Sequence, residues 1–461
     1  MTGFNFIILL VLGVSFVFPA SAAPPIFHKP HDSLTLPLPR SSASAEHLIP
    51  FDDQQHINSV TKTYPTLTLT PRSHTSSTPA GPGFLRGVNI GGWLVLEKWL
   101  VPDLFDGTDA IDQWTFDQSP NALQKLRNHW QTFFTEDDVI KLASYGINAL
   151  RIPIGFWAYD SSGTPYIPGA DIFLHQAILW ARGQGMKVWI DLHGAPGSQN
   201  GFDNSGHAGA VSWQQPGNLQ HTISVLQTIA TKYGTNHYAD VVAGIELVNE
   251  PISWGANNFN LTKQWAEQAY GNVRAVLENP QVMIVMEDAF MGPSNWVDIG
   301  QRLNGYQPLE SARFAIDTHL YQVFVPEDQQ LTQTEHISKA CSMSTTLLPA
   351  WQANMPVYVG EWSGATNICV NTDGSTIGGS ACSSNGCQCQ TTTPVDQWSY
   401  AMVQQVRKYV EAQIETWEAS SNGYFYWNYK APGAWGFDTG IQKGFIPNPV
   451  TSRKYPGQCD S

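Results

Sequence analysis

Residues 149–193 read ALRIPIGFWAYDSSGTPYIPGADIFLHQAILWARGQGMKVWIDLH, and they contain one complete strand–helix–strand unit. The apolar runs Ala149–Ile154 and Lys187–Leu192 have the length and composition of buried strands. Between them, Asp171–Gln184 has the apolar spacing of a helix, and Gly185 follows it as a residue suited to a left-handed helix end. This order predicts two parallel strands joined by a crossover helix.

The same alternation recurs along the chain from Gly81 onward. Six further apolar runs are Leu85–Ile90, Val242–Val248, Val282–Met286, Phe314–Leu320, Val357–Gly360 and Tyr424–Trp427. Further helical stretches are Glu136–Tyr145, Asn218–Tyr233, Thr262–Leu277 and Asp396–Ala419, and Gly146 and Gly234 are further candidates for left-handed helix ends. Eight buried strands alternating with helices predict an α/β fold, the closed (β/α)8 TIM barrel. A doubly wound sheet is the alternative, but Gly87–Gly92 lacks the GxGxxG pattern typical of its first turn.

The N-terminal region differs in composition from the barrel sequence. Phe4–Phe18 is apolar but too short to span a bilayer comfortably, and Ala20-Ser21-Ala22 has the form of a signal-peptidase site. We therefore predict a signal peptide over 1–22, with an uncleaved anchor as the alternative. Residues 23–80 are rich in Pro, Ser, Thr and His, which predicts a disordered arm, and 81–461 is the single catalytic domain. These features predict a secreted protein, extracellular or in the cell wall.

Charge excludes several classes of partner. The 461 residues include 24 Lys and Arg against 38 Asp and Glu, a net charge of −14, with no basic run. Binding to nucleic acid or to an anionic membrane requires cationic surface, so neither is expected as a partner. No later segment has 18 consecutive apolar residues. We expect a soluble monomer with no membrane contact after signal removal.

The cysteines are consistent with secretion. Six are present, listed here as Cys341, Cys369, Cys382, Cys387, Cys389 and Cys459. In a secreted chain they predict up to three disulfides, with 15 possible pairings. Cys387-Gln388-Cys389 alone is a weak signal for zinc. The sequon Asn260-Leu261-Thr262 is a candidate glycan site if its loop is exposed.

The ends of the predicted strands carry acids, imidazoles and aromatic rings. They are Arg151, Asp191–His193, Asn249–Glu250, Glu287–Asp288, His319–Tyr321, Glu361–Trp362 and Trp427–Tyr429. Barrel active sites lie at the carboxyl ends of the strands. Two carboxyl groups beside aromatic rings are suited to glycoside cleavage, in which one protonates the leaving oxygen and the other attacks the anomeric carbon or activates water. No cofactor or metal is required, although a zinc site of His193, His319 and a glutamate is the alternative.

Six sequence blocks, in this order, resemble the fungal exo-β-1,3-glucanases of glycoside hydrolase family 5. They are Arg86–Glu97, Arg151–Ile154, Asp191–Asp203, Glu246–Pro251, His319–Phe324 and Gly360–Trp362, and the resemblance covers essentially all of 81–440. A lone Asn-Glu-Pro such as 249–251 is a weak signal, whereas six ordered blocks are highly specific. The resemblance implies a retaining enzyme that releases glucose from the non-reducing ends of β-1,3-glucan, its expected substrate and partner.

The resemblance also implies a role for each matching residue. Glu250 is the acid/base and Glu361 the nucleophile, with their carboxyl groups about 5–5.5 Å apart. Arg151 pairs with Glu361 and keeps it ionised. The remaining implied residues bind or orient the sugar. Asn249 holds its 2-hydroxyl, Glu97 and Asp203 bind other hydroxyls, and His193, His319 and Tyr321 orient Glu361 and the sugar. Phe202 and Phe324 flank the entrance, and Trp427 lies beneath the ring.

Three further acids and two departures from the family pattern leave alternatives open. We interpret Glu246 as a structural acid of the barrel, and Glu287 and Asp288 as supporting residues. Ala431-Pro432-Gly433 stands where the family often has an acidic residue, and the Cys-rich stretch 369–389 matches no block. The alternatives are therefore a β-1,6- or β-1,4-glucanase or a glucan transglycosylase on the same site. A different class of function is an inactive glucan-binding wall protein.

Overall fold

The computed structural model describes residues 83–460. The predicted signal peptide (1–22) and arm (23–80) lie outside the described residues. The strands are β1 (Leu85–Asn89), β2 (Ala149–Gly155), β3 (Lys187–Gly194), β4 (Val242–Glu246), β5 (Met283–Glu287), β6 (Phe314–His319), β7 (Val357–Trp362), β8 (Ile368–Val370), β9 (Thr376–Gly378), β10 (Gln388–Cys389) and β11 (Gly423–Tyr426).

The helices are α1 (Pro102–Phe105), α2 (Gln113–Phe116), α3 (Ala122–Thr132), α4 (Glu136–Ser144), α5 (Ala170–Gly183), α6 (Pro216–Tyr233), α7 (Phe259–Val276), α8 (Val297–Leu303), α9 (Gln333–Ser342), α10 (Ser344–Gln352), α11 (Tyr400–Ser420) and α12 (Phe437–Lys443). Short 3₁₀ turns cover Phe156–Ala158, Asp203–Ser205, Asn236–Tyr238, Pro293–Trp296, Leu309–Ser311, Asp328–Gln330, Val395–Gln397 and Gly433–Trp435. Within residues 83–460, none of these helices has the length and apolar character needed to span a bilayer.

Eight parallel strands close into a barrel in the order β1-β11-β7-β6-β5-β4-β3-β2. The sequence prediction of a (β/α)8 TIM barrel is therefore confirmed. Each predicted strand begins within one residue of the observed start and ends within two residues of the observed end. The largest difference among the predicted helices is at α11, which begins at Tyr400 instead of Asp396 because Val395–Gln397 forms a separate turn and Ser399 caps the helix.

Two of the three predicted helix-ending glycines have the left-handed backbone expected of them. Gly146 has φ 85° and Gly185 has φ 67°. Gly234 does not, since its φ is −87°. A Cβ at Gly234 would collide with Leu277 and lie 2.5 Å from the carbonyl oxygen of Ala230. Close packing, and not a left-handed turn, therefore requires glycine there.

The barrel interior has an apolar layer at one end and a charged layer above it. In the apolar layer, the Trp189 ring lies edge-on to Tyr358 at 4.7 Å and to Phe425 at 5.2 Å between centroids. Ala149 of β2 belongs to that layer, and Arg151 follows it two residues later on the same strand and is fully buried. Because alternate strand residues point to the same face, the aromatic layer forms the floor of a charged site towards the carboxyl ends of the strands.

A small antiparallel sheet, β10-β8-β9, follows β7. All six cysteines form disulfides, which pair Cys369 with Cys389, Cys382 with Cys387, and Cys341 with Cys459. The prediction of three disulfides agrees with this pairing, and the Cys387–Cys389 motif contributes to two different bonds. Cys341–Cys459 ties the C-terminal segment to α9 across 118 residues of sequence.

We expect the Cys341–Cys459 disulfide to contribute more to stability than the Cys382–Cys387 disulfide. The two bonds close sequence separations of 118 and 5 residues, and a longer loop restricts the unfolded chain more. Replacing both Cys341 and Cys459 with Ser should lower the free energy of unfolding by about 2–5 kcal/mol. Denaturant titration without reductant measures this loss, and the Cys382→Ser/Cys387→Ser protein is the matched control. Equal losses in the two proteins would contradict the prediction.

Candidate active site

Arg151 lies at the centre of the charged layer. Its guanidinium donates two hydrogen bonds to Glu246, at 2.8 and 2.9 Å, in a bidentate pair. Nη1 also donates to Asn89 Oδ1 and to Glu361 Oε1, both at 3.0 Å, and Nη2 donates to Asn249 Oδ1 at 2.9 Å. The Glu246 carboxylate is thus occupied by Arg151, in keeping with a structural role for that acid.

Arg151 shares its single positive charge among several buried acids. Besides Glu246 and Glu361, Asp191 Oδ2 lies 3.1 Å from Nη2 and Asp317 Oδ2 lies 3.6 Å from Nε. Burial raises the pKa of Asp191 and of Glu246, even though the positive charge of Arg151 opposes this shift. One guanidinium therefore cannot keep all four carboxyl groups ionised.

Glu361 accepts hydrogen bonds on both carboxyl oxygens. Arg151 bonds to Oε1, and the Tyr321 hydroxyl donates to Oε2 at 2.7 Å. Burial raises the pKa of Glu361 to about 8; the positive charges of His319 and Arg151 oppose this shift, and the negative charge of Glu250 adds to it. The ion pair expected from the sequence is present. Arg151 favours the ionised form of Glu361, and burial disfavours it.

A bulge in β7 turns Glu361 into the barrel. Asp317 pairs with Tyr358, but His319 pairs with Glu361, so one extra residue is inserted between these positions. The inserted region contains Gly360, whose N–H donates to Asp317 Oδ1 at 2.5 Å, and a Cβ on Gly360 would collide with the Asp317 carboxylate. Glycine at 360 therefore leaves room for Asp317, and the bulge lets the next residue point inward as well.

Glu250 follows β4 in an uncommon backbone conformation. Its φ is 45°, in the left-handed region that non-glycine residues seldom occupy. Continued strand alternation beyond the predicted run Val242–Val248 would place residues 246, 248 and 250 on one face. Instead, β4 ends at Glu246, Val248 packs into the outer apolar core, and Asn249 contacts Arg151. The irregular backbone after β4 thus directs both Asn249 and Glu250 to the site.

His319 lies between the two candidate catalytic glutamates. Its Nδ1 is 2.8 Å from Glu250 Oε1 and 3.5 Å from Glu361 Oε2. These three atoms all lie within 4.8 Å of one another. The two carboxyl groups are therefore close partners, at a separation nearer to the ~5–5.5 Å of retaining glycosidases than to the ~6.5–9.5 Å of inverting ones.

The charge of His319 acts on Glu250. Burial lowers the pKa of His319, but the nearby acids Glu361, Asp317 and Glu250 outweigh burial and raise it well above its usual range. Burial raises the pKa of Glu250, but the hydrogen bonds from His319 and Asn204 and the positive charge of His319 together outweigh this effect and leave the pKa below its ordinary value. The pKa values of the two neighbouring glutamates are thus shifted in opposite directions, that of Glu250 down and that of Glu361 up.

Two buried polar atoms at the floor of the site are left for a ligand. His193 Nδ1 bonds to Asp191 at 2.6 Å, and burial lowers the pKa of His193, so the imidazole is neutral. Neither His193 Nε2 nor Asn249 Nδ2 has a hydrogen-bond partner among residues 83–460. The Trp427 ring stacks on His193 at 5.6 Å and 7°. These groups form a flat surface edged by free polar atoms, which suits a sugar ring and its hydroxyls.

Two further acids predicted from the sequence belong to the same region. Glu97 is buried and accepts a hydrogen bond from Trp99 Nε1 at 2.9 Å, and its Oε1 has no partner among the described residues. Burial and the negative charge of Asp203 raise the pKa of Glu97 well above its usual range. Burial likewise raises the pKa of Asp203 to about 6. Glu97 therefore carries a proton and can donate to a hydroxyl as well as accept from one.

Aromatic rings surround part of the mouth. Phe324 lies edge-on to Tyr321 at 5.4 Å and packs against Trp435 at 6.1 Å, and Trp435 also contacts Trp99 at 5.5 Å. Phe202 is half-buried in the loop after β3, and its ring does not stack on Phe324 within the described part of the chain. Trp435 thus lies between Trp99 and Phe324, one of the two aromatic residues predicted at the entrance.

Glu287, the last residue of β5, and Asp288 after it are two further buried acids near the charged layer. Burial and the charge of Asp288 raise the pKa of Glu287 well above its usual range, and a side-chain hydrogen bond links the two acids. Glu287 also accepts a hydrogen bond from the Ala289 N–H at 2.8 Å. The pair contacts Thr318 and lies near His319, so it is placed to support the charged layer. Among residues 83–460, three groups of side chains lie close enough together to hold a metal ion: Glu250, His319 and Glu361; Glu246, Asp317 and His319; and the disulfide-bonded Cys369, Cys382 and Cys389. His193 belongs to none of them.

Sequence reasoning missed Asn204 and Trp435. Asn204 donates to Glu250 Oε2 at 2.8 Å, and it follows Asp203 directly in a block that was otherwise recognised. The signal that could have found Asn204 is its place directly after the block Asp191–Asp203. Trp435 lies eight residues after Trp427, outside any strand, and no pattern marks it.

Comparison with known proteins identifies the sequence relatives. The profile described as Cellulase (glycosyl hydrolase family 5) matches residues 112–431. The chain is 37% identical to the glucan 1,3-beta-glucosidase of Blumeria graminis, over 81% of this chain and 89% of the relative. It is 39% identical to the probable glucan 1,3-beta-glucosidase A of Aspergillus terreus and 36% identical to glucan 1,3-beta-glucosidase 1 of Schizosaccharomyces pombe, in both cases over 81% of this chain and 90% of the relative.

The crystal structure of rutinosidase from Aspergillus niger has the same fold. It aligns with a TM-score of 0.62 and 21% identity, covering 80% of this chain and 99% of that chain. At this level of identity the likeness concerns the fold alone.

Proposed function

Because this chain belongs to glycosyl hydrolase family 5 and is a glycoside hydrolase, we propose that it releases glucose from the non-reducing ends of β-1,3-glucan with retention of anomeric configuration. The observation that carries the proposal is the close pairing of Glu250 and Glu361 across His319. The names of the relatives, which are glucan 1,3-beta-glucosidases, support the choice of substrate.

The proposed reaction is a double displacement. Glu361 attacks the anomeric carbon while Glu250 gives its proton to the departing glycosidic oxygen, so that a C–O bond to Glu361 forms and the glycosidic bond breaks. Glu250 then takes a proton from water, whose oxygen displaces Glu361. Asn249 Nδ2 and His193 Nε2 are free to bond to sugar hydroxyls, and Trp427 supplies the apolar surface beneath the ring.

The attacking form of the enzyme requires that the pair hold one proton, and that this proton be on Glu250. In the unliganded site the pKa of Glu250 is lowered and that of Glu361 is raised, which is the opposite order. A glycosidic oxygen beside Glu250 accepts a hydrogen bond from the protonated acid, and sugar hydroxyls that donate to Glu361 favour its ionised form. Substrate binding therefore favours the attacking form.

A pH profile of kcat/KM tests this sharing of one proton, because that ratio reports the free enzyme. The ratio should rise with pH as the pair loses its second proton, at a pKa below the ordinary glutamate value because of His319. It should fall as pH passes about 8, where Glu361 loses the last proton that the departing oxygen needs. A rate still rising beyond pH 9 would contradict the assignment.

Product analysis tests the substrate and the mode of attack. Laminarin digestion should yield free glucose from the start, and NMR should detect the β-anomer before mutarotation. A ladder of long oligosaccharides with little glucose would contradict exo-action, and α-glucose as the first product would contradict retention. Parallel rates on pustulan and a soluble cellulose derivative decide the alternatives with β-1,6 or β-1,4 linkage. Turnover of any of these glucans rejects an inactive binding protein.

We also propose that the enzyme is secreted after cleavage following Ala22. The N-terminal sequence of protein recovered from the culture medium of an expressing host tests this proposal. It should begin at Ala23 unless a later protease removes more of the arm. Protein found only inside the host cells, with Met1 to Ala22 intact, would contradict it.

A further inference from the structure

Glu250 has a second hydrogen-bond partner besides His319. Asn204 Nδ2 donates to Glu250 Oε2 at 2.8 Å, from the 3₁₀ turn Asp203–Ser205 between β3 and α6. We propose that Asn204 is a positioning residue that stabilises the ionised form of Glu250, and that it thereby supports the first half-reaction, in which Glu250 gives its proton to the departing oxygen and becomes ionised. This inference rests on the proposed function.

The orientation of the Asn204 amide is set by Asn200. Asn200 Nδ2 donates to Asn204 Oδ1 at 3.1 Å, and Asn200 Oδ1 accepts from the Phe202 N–H at 2.9 Å. Asn200 is buried, with 3% of its surface exposed. Because the Asn204 oxygen is already paired, the NH2 group faces Glu250. A donor is thus directed at the carboxylate by contacts that do not depend on substrate.

The loop that carries Asn204 is held on both sides. The Ser198 and Ser205 hydroxyls bond to each other at 2.7 Å, and the Trp114 N–H donates to the Gly206 carbonyl at 2.8 Å. The Trp114 ring stacks on His207 at 4.3 Å and 8°. Asn204 is therefore placed before substrate binds, and a preorganised donor costs no reorganisation when charge develops on its partner.

The groups around Glu250 explain why a neutral donor is useful there. The acids that face it are Glu361 on β7, Glu97 after β1, Asp191 on β3 and Glu287 on β5. The remaining titratable neighbours are the cationic His319, the neutral His193 and the Tyr321 phenol. His319 bonds to Oε1, and Asn204 is the donor on Oε2.

The Asn204 bond distinguishes the two protonation states of Glu250. A hydrogen bond to a carboxylate is stronger than one to a neutral carboxyl group. The bond is therefore strong when Glu250 has given up its proton and weak when Glu250 holds it. In the first half-reaction, the proton of Glu250 passes to the departing oxygen as the glycosidic bond breaks and Glu361 bonds to the anomeric carbon. Asn204 therefore bonds more strongly in the transition state, where negative charge develops on Glu250, than to the protonated acid.

The test uses Asn204→Ala with laminaribiose, whose departing sugar oxygen must be protonated, and with 2,4-dinitrophenyl β-glucoside, whose leaving group needs no proton. Loss of a charge-assisted hydrogen bond should lower kcat and kcat/KM for laminaribiose about 10–100-fold. For the aryl glucoside, kcat/KM should stay within about threefold of wild type. The acidic limb of the pH profile should move to higher pH, because the ionised form of Glu250 is less stabilised.

Two further variants keep the test decisive. Asn204→Asp cannot donate and adds a negative charge, so its kcat should fall further than that of Asn204→Ala. Asn236→Ala, which removes an exposed amide from a 3₁₀ turn, is the matched control for wild-type kcat. Thermal unfolding establishes that each variant is folded.

Unchanged kcat/KM for laminaribiose in Asn204→Ala would overturn the proposal, as would equal losses of kcat/KM on the two substrates. Failure of the proposed function itself is a different result. In that case wild-type protein does not turn over either glucan or glucoside, or Glu250→Gln behaves as wild type.

Discussion

Glu361→Gln is expected to lose laminarin hydrolysis by about four orders of magnitude or more, because an amide oxygen cannot form the covalent glycosyl-enzyme. Sugar affinity should persist, since Trp427, His193 and Asn249 are untouched. Steady-state rates measure the loss, and calorimetric titration with a laminari-oligosaccharide measures the affinity. The amide still accepts from Tyr321 and retains the shape of the side chain.

Glu310→Gln is the matched control, since Glu310 is an exposed glutamate in a 3₁₀ turn. It should retain wild-type rates. Hydrolysis by Glu361→Gln within tenfold of wild type would exclude Glu361 as the nucleophile. Loss of both hydrolysis and sugar affinity, with unfolding at a lower temperature, would instead assign Glu361 a structural role in the ion pair with Arg151.

Glu250→Ala is expected to distinguish between leaving groups. Laminarin, whose departing sugar oxygen must be protonated, should react about 10²–10⁴-fold more slowly. For 2,4-dinitrophenyl β-glucoside, formation of the glycosyl-enzyme should stay fast, because the departing phenolate is already stable. Parallel steady-state and pre-steady-state measurements on the two substrates separate these effects. Equal losses on both substrates would contradict an acid role for Glu250.

Azide separates the roles of the two glutamates by stereochemistry. In Glu250→Ala, azide displaces Glu361 from the intermediate, and two successive inversions give β-glucosyl azide. In Glu361→Ala, azide occupies the space of the missing nucleophile and attacks the aryl glucoside directly, so that one inversion gives α-glucosyl azide. Exchange of these two products between the variants would reverse the assignments.

His319 contacts both glutamates of the proposed double displacement. Its Nδ1 contacts an oxygen of each glutamate, and its Nε2 lies 3.5 Å from Asp317 Oδ2. Asp317 also accepts from the N–H of Gly360, the residue before Glu361. A single buried acid is therefore in contact with the imidazole beside Glu250 and with the backbone that carries Glu361.

Most of the barrel could be predicted from local sequence. Apolar runs of strand length, separated by helical stretches, place all eight barrel strands within two residues of their observed ends. Burial on both faces makes such strands continuously apolar, so each run is a reliable local signal. The helix start at Tyr400 was less predictable, because the turn Val395–Gln397 precedes it with residues that are also compatible with a helix.

The candidate site was predictable where a side chain lies in a recognised block, as do Glu250, His319 and Glu361. Asn204 and Trp435 were not predicted, although each contacts a predicted residue. Their placement depends on loops that have no strand or helix periodicity. Nor does the sequence pattern show the backbone of Glu250, whose φ of 45° breaks the alternation expected after β4.

The amino-acid order alone determined the eight-stranded barrel and the strands that end in glutamate, because both depend on residues close together in the chain. Only the tertiary structure decided that the bulge at Gly360 turns Glu361 inward, that four acids share Arg151, and that the pKa values of Glu250 and Glu361 shift in opposite directions. These properties arise from burial and from charges on strands distant in sequence. Pairwise distances in the folded barrel set their strength, and no local pattern encodes those distances.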